Sequence, residues 1–335
     1  MGKHYDRVIL GGGISGLIGL HYIKDSILFE AQDSLAKDFL DNVFPKFIHY
    51  NDRTESLFEE LDLNVKVERF NVGIYEDGKI YDFFNDGFPE EKRQDVYNKY
   101  CLKKYGKIVE GKMNGYLSGN FERNYIENKF DLINKIKDTY SDRIALNHRV
   151  DKIDTKNKEV YFNNDLFLKT NDVSYDKLIS TIPLNFFSRL ADAKFTFKDI
   201  HLKLASVLIE DDNKLESLDD WNFIYVTDDY YDFHRIIINK GKGCIIYEFN
   251  NDVQDMSQCV EFTKKFYSNV GAYSFREFKF NVLKDNKTEI YIPDVYFLGR
   301  FSTGNYAVKI EEVIDGARSV ARDIRDSEEN QRQSS

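Results

Sequence analysis

The residues with the plainest chemistry stand at the start of the chain. Gly11-Gly12-Gly13-Ile14-Ser15-Gly16 spells G-x-G-x-x-G directly after a short strand-like run over 7–10. Each glycine serves a physical need. Gly11 permits a sharp turn, Gly13 lets the backbone come close to a pyrophosphate, and Gly16 lets the following helix pack on the strand. Ser15 sits in the same turn. Free N–H groups at the helix start, together with the helix dipole, attract the phosphates. Glu30, about twenty residues beyond Gly11, ends a second strand, where a carboxylate accepts hydrogen bonds from the ribose hydroxyls of an adenosine. The spacing therefore points to a bound dinucleotide. Metal chemistry has no comparable signal: Cys101, Cys244 and Cys259 show no CxxC spacing and cannot all pair, the pattern of a reducing compartment.

The elements that must position this site follow from periodicity. Residues 17–23 are apolar enough for a buried helix, and 26–29 form the second strand. Residues 143–161 read as strand, polar turn near Lys156-Asn157-Lys158, and strand; 175–184 is an apolar strand running into a proline turn. Near the end, 295–298 is another buried strand, followed by Gly299-Arg300. The helix over 311–324 then carries Val313, Ile314, Ala317, Val320, Ala321 and Ile324 at helical spacing. Asp77-Gly78 marks a hairpin turn. Helices are expected over 90–105 and 125–140, joined by a glycine-containing connection over 106–119 that would suit a lid. The polar tail 326–335 is expected to be disordered.

Composition bounds the function. The chain has 335 residues, 42% of them hydrophobic and 31% charged, which is enough for a large core and argues against a disordered protein. A net charge of −10 makes nucleic acid an unfavourable partner, though it does not exclude one. With no long apolar run and no leader-like start, the chain is expected to be cytoplasmic, with no membrane partner. Aromatic residues make up 15%, which implies a bulky core and leaves tyrosines to spare for a polar site. A homodimer is compatible with the sequence, but no motif encodes one.

A Rossmann unit interrupted by other segments and resumed by late strands resembles the glutathione-reductase-like FAD superfamily, so the resemblance implies FAD rather than NAD. The fold class expected is α/β: a Rossmann-type FAD-binding domain with an interleaved helical insertion and an antiparallel-sheet substrate domain. In numbers, 1–70, 141–190 and 286–325 would bind FAD, 71–140 would hold the hairpin and insertion, and 191–285 the substrate sheet. The cofactor would be held by Gly11, Gly13, Ser15, Gly16, Glu30, Val150, Gly299 and Arg300.

Several collinear segments are similar to UDP-galactopyranose mutases, which interconvert the pyranose and furanose forms of a nucleotide sugar. They are Phe44-Pro45-Lys46-Phe47-Ile48-His49-Tyr50-Asn51-Asp52, Gly73-Ile74-Tyr75-Glu76-Asp77-Gly78-Lys79, the stretch 97–107, Trp221 through Phe233-His234-Arg235, and Gly299-Arg300 to Tyr306. The family's chemistry runs through N5 of reduced FAD at the anomeric carbon. The resemblance implies that His49 and Lys46 face the flavin, and that Arg235, Tyr306, Arg123 and Tyr125 bind substrate. The sequence also departs from the family. Lys46 stands where it has a histidine, Val308 where it has an aspartate, and Ala31 to Ala36 replaces a glycine-rich stretch. These departures cluster around flavin and sugar. Two alternatives therefore stand beside the mutase reading: an amine-oxidase or protoporphyrinogen-oxidase type of oxidoreductase, acting on an amine or a modified nucleotide, and a flavin-binding protein without catalysis.

Overall fold

The computed structural model describes residues 2–37, 47–82, 90–108, 124–164, 169–210, 218, 220–249, 256–284, 290–305 and 308–334. The chain opens with β1 (Lys3–Leu10), α1 (Ile14–Tyr22) and β2 (Ser26–Phe29). The two strands belong to a seven-stranded sheet completed by β7 (Ile144–Ala145), β8 (Arg149–Asp154), β9 (Glu159–Asn164), β10 (Lys169–Ser180) and β16 (Val295–Phe297). Its parallel part runs β7-β2-β1-β10-β16, and β8 and β9 add an antiparallel meander to the first half of β10. Parallel strands are covered on both faces and therefore read as continuous apolar runs; Val8, Ile9 and Leu10 are all fully buried. Strand order reverses between β1 and β10, and an open α/β sheet binds its ligand at the carboxyl ends of such a pair.

One face of this sheet packs against α1, α4 (Lys129–Thr139) and α7 (Ile310–Ser334); the other packs against the meander and α5 (Leu184–Leu190). α7 reaches Ser334, so residues 326–334 continue a helix where disorder was expected. The apolar period does end at Ile324. However, the run 325–334 contains no Gly or Pro, and Glu328 pairs with the nearly buried Arg7 at 2.6 Å.

The second sheet contains β4 (Val72–Glu76), β5 (Lys79–Asp82), β11 (Phe197–Ile209), β12 (Phe223–Val226), β13 (Phe233–Asn239), β14 (Cys244–Phe249) and β15 (Val270–Leu283). Its order is β15-β11-β14-β13-β12-β4-β5. All neighbours are antiparallel except β12 and β4, which run parallel. α3 (Glu90–Tyr105) covers one face and α6 (Ser257–Lys264) the other.

Segment 71–140 is therefore divided rather than forming a unit of its own. Its hairpin, turned at Asp77 and Gly78 with positive φ at both, and helix α3 bury Val72, Ile74, Val96, Tyr97 and Tyr100 on the second sheet. Helix α4 buries Leu132, Ile133 and Ile136 beside α1. α2 (Asp52–Glu60) packs with α7 on the first sheet's helical side, and a ribbon of β3 (Val67–Arg69) with β6 (Asn124–Ile126) links the two cores, Ile126 in one and Tyr125 against the other. Cys101, Cys244 and Cys259 are all buried. No helix among the described residues is long and apolar enough to cross a membrane.

Candidate functional site

The glycine turn sits at the carboxyl end of β1, where Gly11 N donates to Phe29 O and Thr181 Oγ1 donates to Leu10 O. A methyl on Gly16 would lie 1.9 Å from the carbonyl oxygen of Gly11, so no larger residue fits without moving backbone. Gly13 is the opposite case: an added Cβ would meet nothing within 4 Å. The helix it starts has no side-chain cap and no acidic residue in its first turn, which leaves its end suited to an anion. Glu30 receives Gly12 N on Oε2 (2.5 Å) and Gln32 N on Oε1 (2.8 Å). A carboxylate has about four acceptor positions. Glu30 is thus fixed in place with capacity left for ribose hydroxyls. Residues 145–148 run alongside it, with His148 N donating to Glu30 O, and Val150 follows in β8.

Gly299 closes the site from the far strand. It has φ +105°, and an added Cβ would stand 2.4 Å from Ser15 Oγ. Ser15 and Gly299, far apart in sequence, thus meet at one point above the sheet. Arg300 Nε donates to Val308 O at 2.9 Å, so this side chain braces the approach to α7. These residues suit a dinucleotide: open space at Gly13, a fixed carboxylate at Glu30 and a close approach of Gly299 to Ser15.

His49 lies between the two sheets. Asn51 caps α2 by accepting from the N–H groups of Arg53 and Thr54, and Thr54 Oγ1 donates to His49 O at 2.8 Å. This capping box pins the backbone of His49. Opposite it stands Tyr125, bridged to it by Tyr50 N to Asn124 O and Ile126 N to Ile48 O. Burial, and then the neighbouring charge of Lys309, lowers the His49 pKa to about 4, so its imidazole is neutral at ordinary pH. Tyr125 stacks on Phe70 with centroids 4.2 Å apart and donates its hydroxyl to Glu68. Burial and that carboxylate raise its pKa.

The structure gives Arg235 a partner that the sequence did not suggest. Its Nε donates to Glu248 Oε2 at 2.6 Å, and Nη2 reaches the same oxygen. The guanidinium also lies over Phe223, 5.7 Å from the ring centroid. This carboxylate comes from the adjacent strand β14 rather than from the stretch that holds Asp228, Asp229 and Asp232. A register irregularity between Phe233 and Arg235 lets His234 approach the same carboxylate, with Nε2 3.4 Å from Oε1. Burial alone would raise the Glu248 pKa, but Arg235 and then His234 override it and hold the carboxyl well below its usual range. Burial lowers the fully buried His234 to about 4.

His49, Tyr125 and Arg235 thus come together around Phe70 and Phe223, whose ring centroids are 5.2 Å apart. Lys46, Arg123, Tyr306 and most of the connection 106–119 lie outside the described residues. Sequence reasoning missed Glu248, His234, Thr54 and Lys309. Glu248 had one signal: it is the lone charge in the otherwise apolar run Cys244–Phe249.

No protein family model and no curated protein matches the chain. Solved structures do. Reduced UDP-galactopyranose mutase superposes with TM-score 0.64 at 15% identity, over 96% of this chain and 94% of that one. A putrescine oxidase with a redesigned cofactor site gives 0.63 at 12%, over 96% and 99%. The fatty acid isomerase from P. acnes gives 0.58 at 11%, over 95% and 98%. At these identities the likeness establishes the fold alone: a mixed α/β fold with mixed parallel and antiparallel sheets, shared with these structures.

Proposed function

We propose that the protein is an FAD-dependent oxidoreductase that takes a hydride from a small organic molecule bound between the two sheets. FAD, when bound, would supply the electron-accepting chemistry. Gly11, Gly13, Ser15 and Gly16 would hold its pyrophosphate and Glu30 its ribose, with Val150 at the same end and Gly299 and Arg300 at the closing turn. His49 is proposed to offer a neutral hydrogen-bonding nitrogen near the reacting bond, with Lys46 in the same segment; Arg235 and Tyr125, with Tyr306 and Arg123, would orient the substrate.

The observation that carries oxidation over sugar transfer is the Arg235–Glu248 pair. An arginine that recognises a diphosphate contributes its charge to the phosphate oxygens. Here the buried carboxylate of Glu248 already offsets that charge. His49, neutral above pH of about 4, adds no second cation. Such a site favours an uncharged amine or a C–H bond over a dianion. A second reading, a mutase acting on a nucleotide sugar, is supported by the superposition on reduced UDP-galactopyranose mutase along nearly the whole chain. The two differ in where electrons go: an oxidoreductase consumes an acceptor, and a mutase consumes none.

The test is a visible spectrum of the purified protein, titrated separately with UDP and with a panel of primary and secondary amines. Flavin bands that bleach anaerobically with an amine and return with an acceptor are the expected result. A saturable shift with sub-millimolar UDP, and no bleaching, would overturn the redox reading in favour of the mutase. Bound flavin unaffected by both would point to a binding protein.

A further inference from the structure

Strand β15 is the longest among the described residues at 14 residues, and it lies at the edge of the second sheet. Leu283 faces Phe197 across β11, and Lys284 N donates to Thr196 O, so the even-numbered residues bond toward β11. The odd-numbered residues therefore turn N–H and C=O outward. Leu283 N confirms the phase by donating away from β11, to Gly304 O, which also closes that end of the edge. From 272 to 277 every residue is exposed; Tyr273 is 62% and Phe275 43% exposed. Edge strands are ordinarily protected by shortness, proline, a cover or repelling charge. Over 270–283 there is no proline, and no described strand pairs on the outer side.

The charges on this strand exclude some self-pairings. A two-fold axis normal to the sheet makes two copies antiparallel and keeps each side chain on its own face. Residues of equal parity then stand opposite one another. An axis at Arg276 would set arginine against arginine, and one at Glu277 glutamate against glutamate; both are destabilising. Axes at Tyr273, Ser274 and Phe275 all oppose no like charges; of these, the one at Phe275 sets Tyr273 against Glu277, with Phe275 against Phe275 and Ser274 against Arg276, and it lies within the exposed stretch, clear of the closed end. A tyrosine hydroxyl bonded to a glutamate is a pairing this chain already uses at Tyr230–Glu261 and Tyr50–Glu55.

We propose that β15 pairs with β15 of a second copy of this chain, antiparallel, with Phe275 opposite its own counterpart, joining the two second sheets into one. The interface is independent of the reaction assigned above. The wild-type chain is expected to show twice the 39.4 kDa chain mass by light scattering. Phe275→Glu, which places two carboxylates against each other on an exposed position, is expected to weaken association at least tenfold while its circular dichroism matches wild type. Phe275→Cys should cross-link under mild oxidation far faster than Glu277→Cys, because only the first stands opposite itself; the native cysteines are buried. A wild-type monomer at the highest soluble concentration, or a dimer that Phe275→Glu leaves intact, would overturn the proposal. So would equal cross-linking of the two cysteine variants.

Discussion

A methyl group on Gly13 meets only open space, while the same methyl on Gly16 collides with a backbone oxygen at 1.9 Å. The two positions should therefore separate binding from folding. Gly13→Ala keeps an allowed backbone (φ −71°, ψ 177°), so its loss of chain entropy and its poorer N-cap offset each other to within about 1 kcal/mol. Its FAD affinity should nevertheless fall at least tenfold, because the methyl occupies the lane of the pyrophosphate. Gly16→Ala should cost about 3 kcal/mol of stability in the cofactor-free protein, since helix and turn must part. Urea unfolding of both apo variants, with flavin titration of the first, checks the contrast. His49 makes a prediction of a different kind. Burial and Lys309 lower it from 6.5 to about 4, so between those values the unfolded chain binds a proton that the folded chain refuses. The His49 contribution to stability must fall as pH drops through that window and level off below it, while the depressed carboxyl of Glu248 goes on losing stability at lower pH. His234, lowered to about the same value, adds a second such proton. His49→Gln should remove one of the two, taking up to about 1.4 kcal/mol per pH unit from the slope. An unchanged slope in urea titrations across the window would contradict the burial of His49. The glycines and Glu30 were legible because their chemistry depends on local spacing. The partner of Arg235 was not, because it sits on another strand and depends on where that strand's register slips.

That slip belongs to the scale of elements. The irregular pairing of β13 with β14 turns both His234 and Arg235 toward Glu248, in a sheet face otherwise built from Phe223, Tyr225, Ile237 and Ile246. Removing Arg235 alone strands a buried carboxylate, so Arg235→Ala should destabilise by about 3–5 kcal/mol. Replacing both members by apolar residues, Arg235→Met with Glu248→Leu, should cost far less than the sum of the single changes. A double-mutant cycle in denaturant measures this coupling; additive effects would mean the pair is solvated rather than buried. Element existence was readable from the sequence wherever one period dominated: helix α3 occupies the 90–105 span expected, and the Asp77-Gly78 hairpin turns where its residues demand. Sheet membership was not readable. Val72 pairs with Phe223 across some 150 residues, and a hairpin with an apolar face carries no mark of which sheet it will join. The tail shows a similar limit. A polar helix of 325–334 has no apolar period to announce it, and it depends on an ion pair from Glu328 to Arg7 at the other end of the chain.

At the scale of the molecule the chain does not finish one sheet before starting the other. It lays down β1 and β2, leaves to place β4 and β5 in the second sheet, returns for β7 to β10, leaves again for β11 to β15, and comes back for β16. Either sheet forming alone would have to close a long unstructured loop, because β16 reaches β10 only after the chain has traversed the second sheet, and β12 finds β4 only across the meander of the first. Calorimetry of the cofactor-free protein should therefore show one endotherm, not two. Adding FAD, whose pyrophosphate and ribose the proposed function assigns to the first sheet, should shift that single endotherm as a whole. A ligand that binds the native state alone stabilises it by about 2.7 kcal/mol at a hundredfold excess over its Kd. If instead two endotherms appear and FAD moves only one, the sheets unfold separately despite their shared connections. The interleaving would then be a feature of chain order without thermodynamic consequence. A single endotherm that rises with FAD would make the second sheet, though remote from the nucleotide, part of what cofactor binding stabilises.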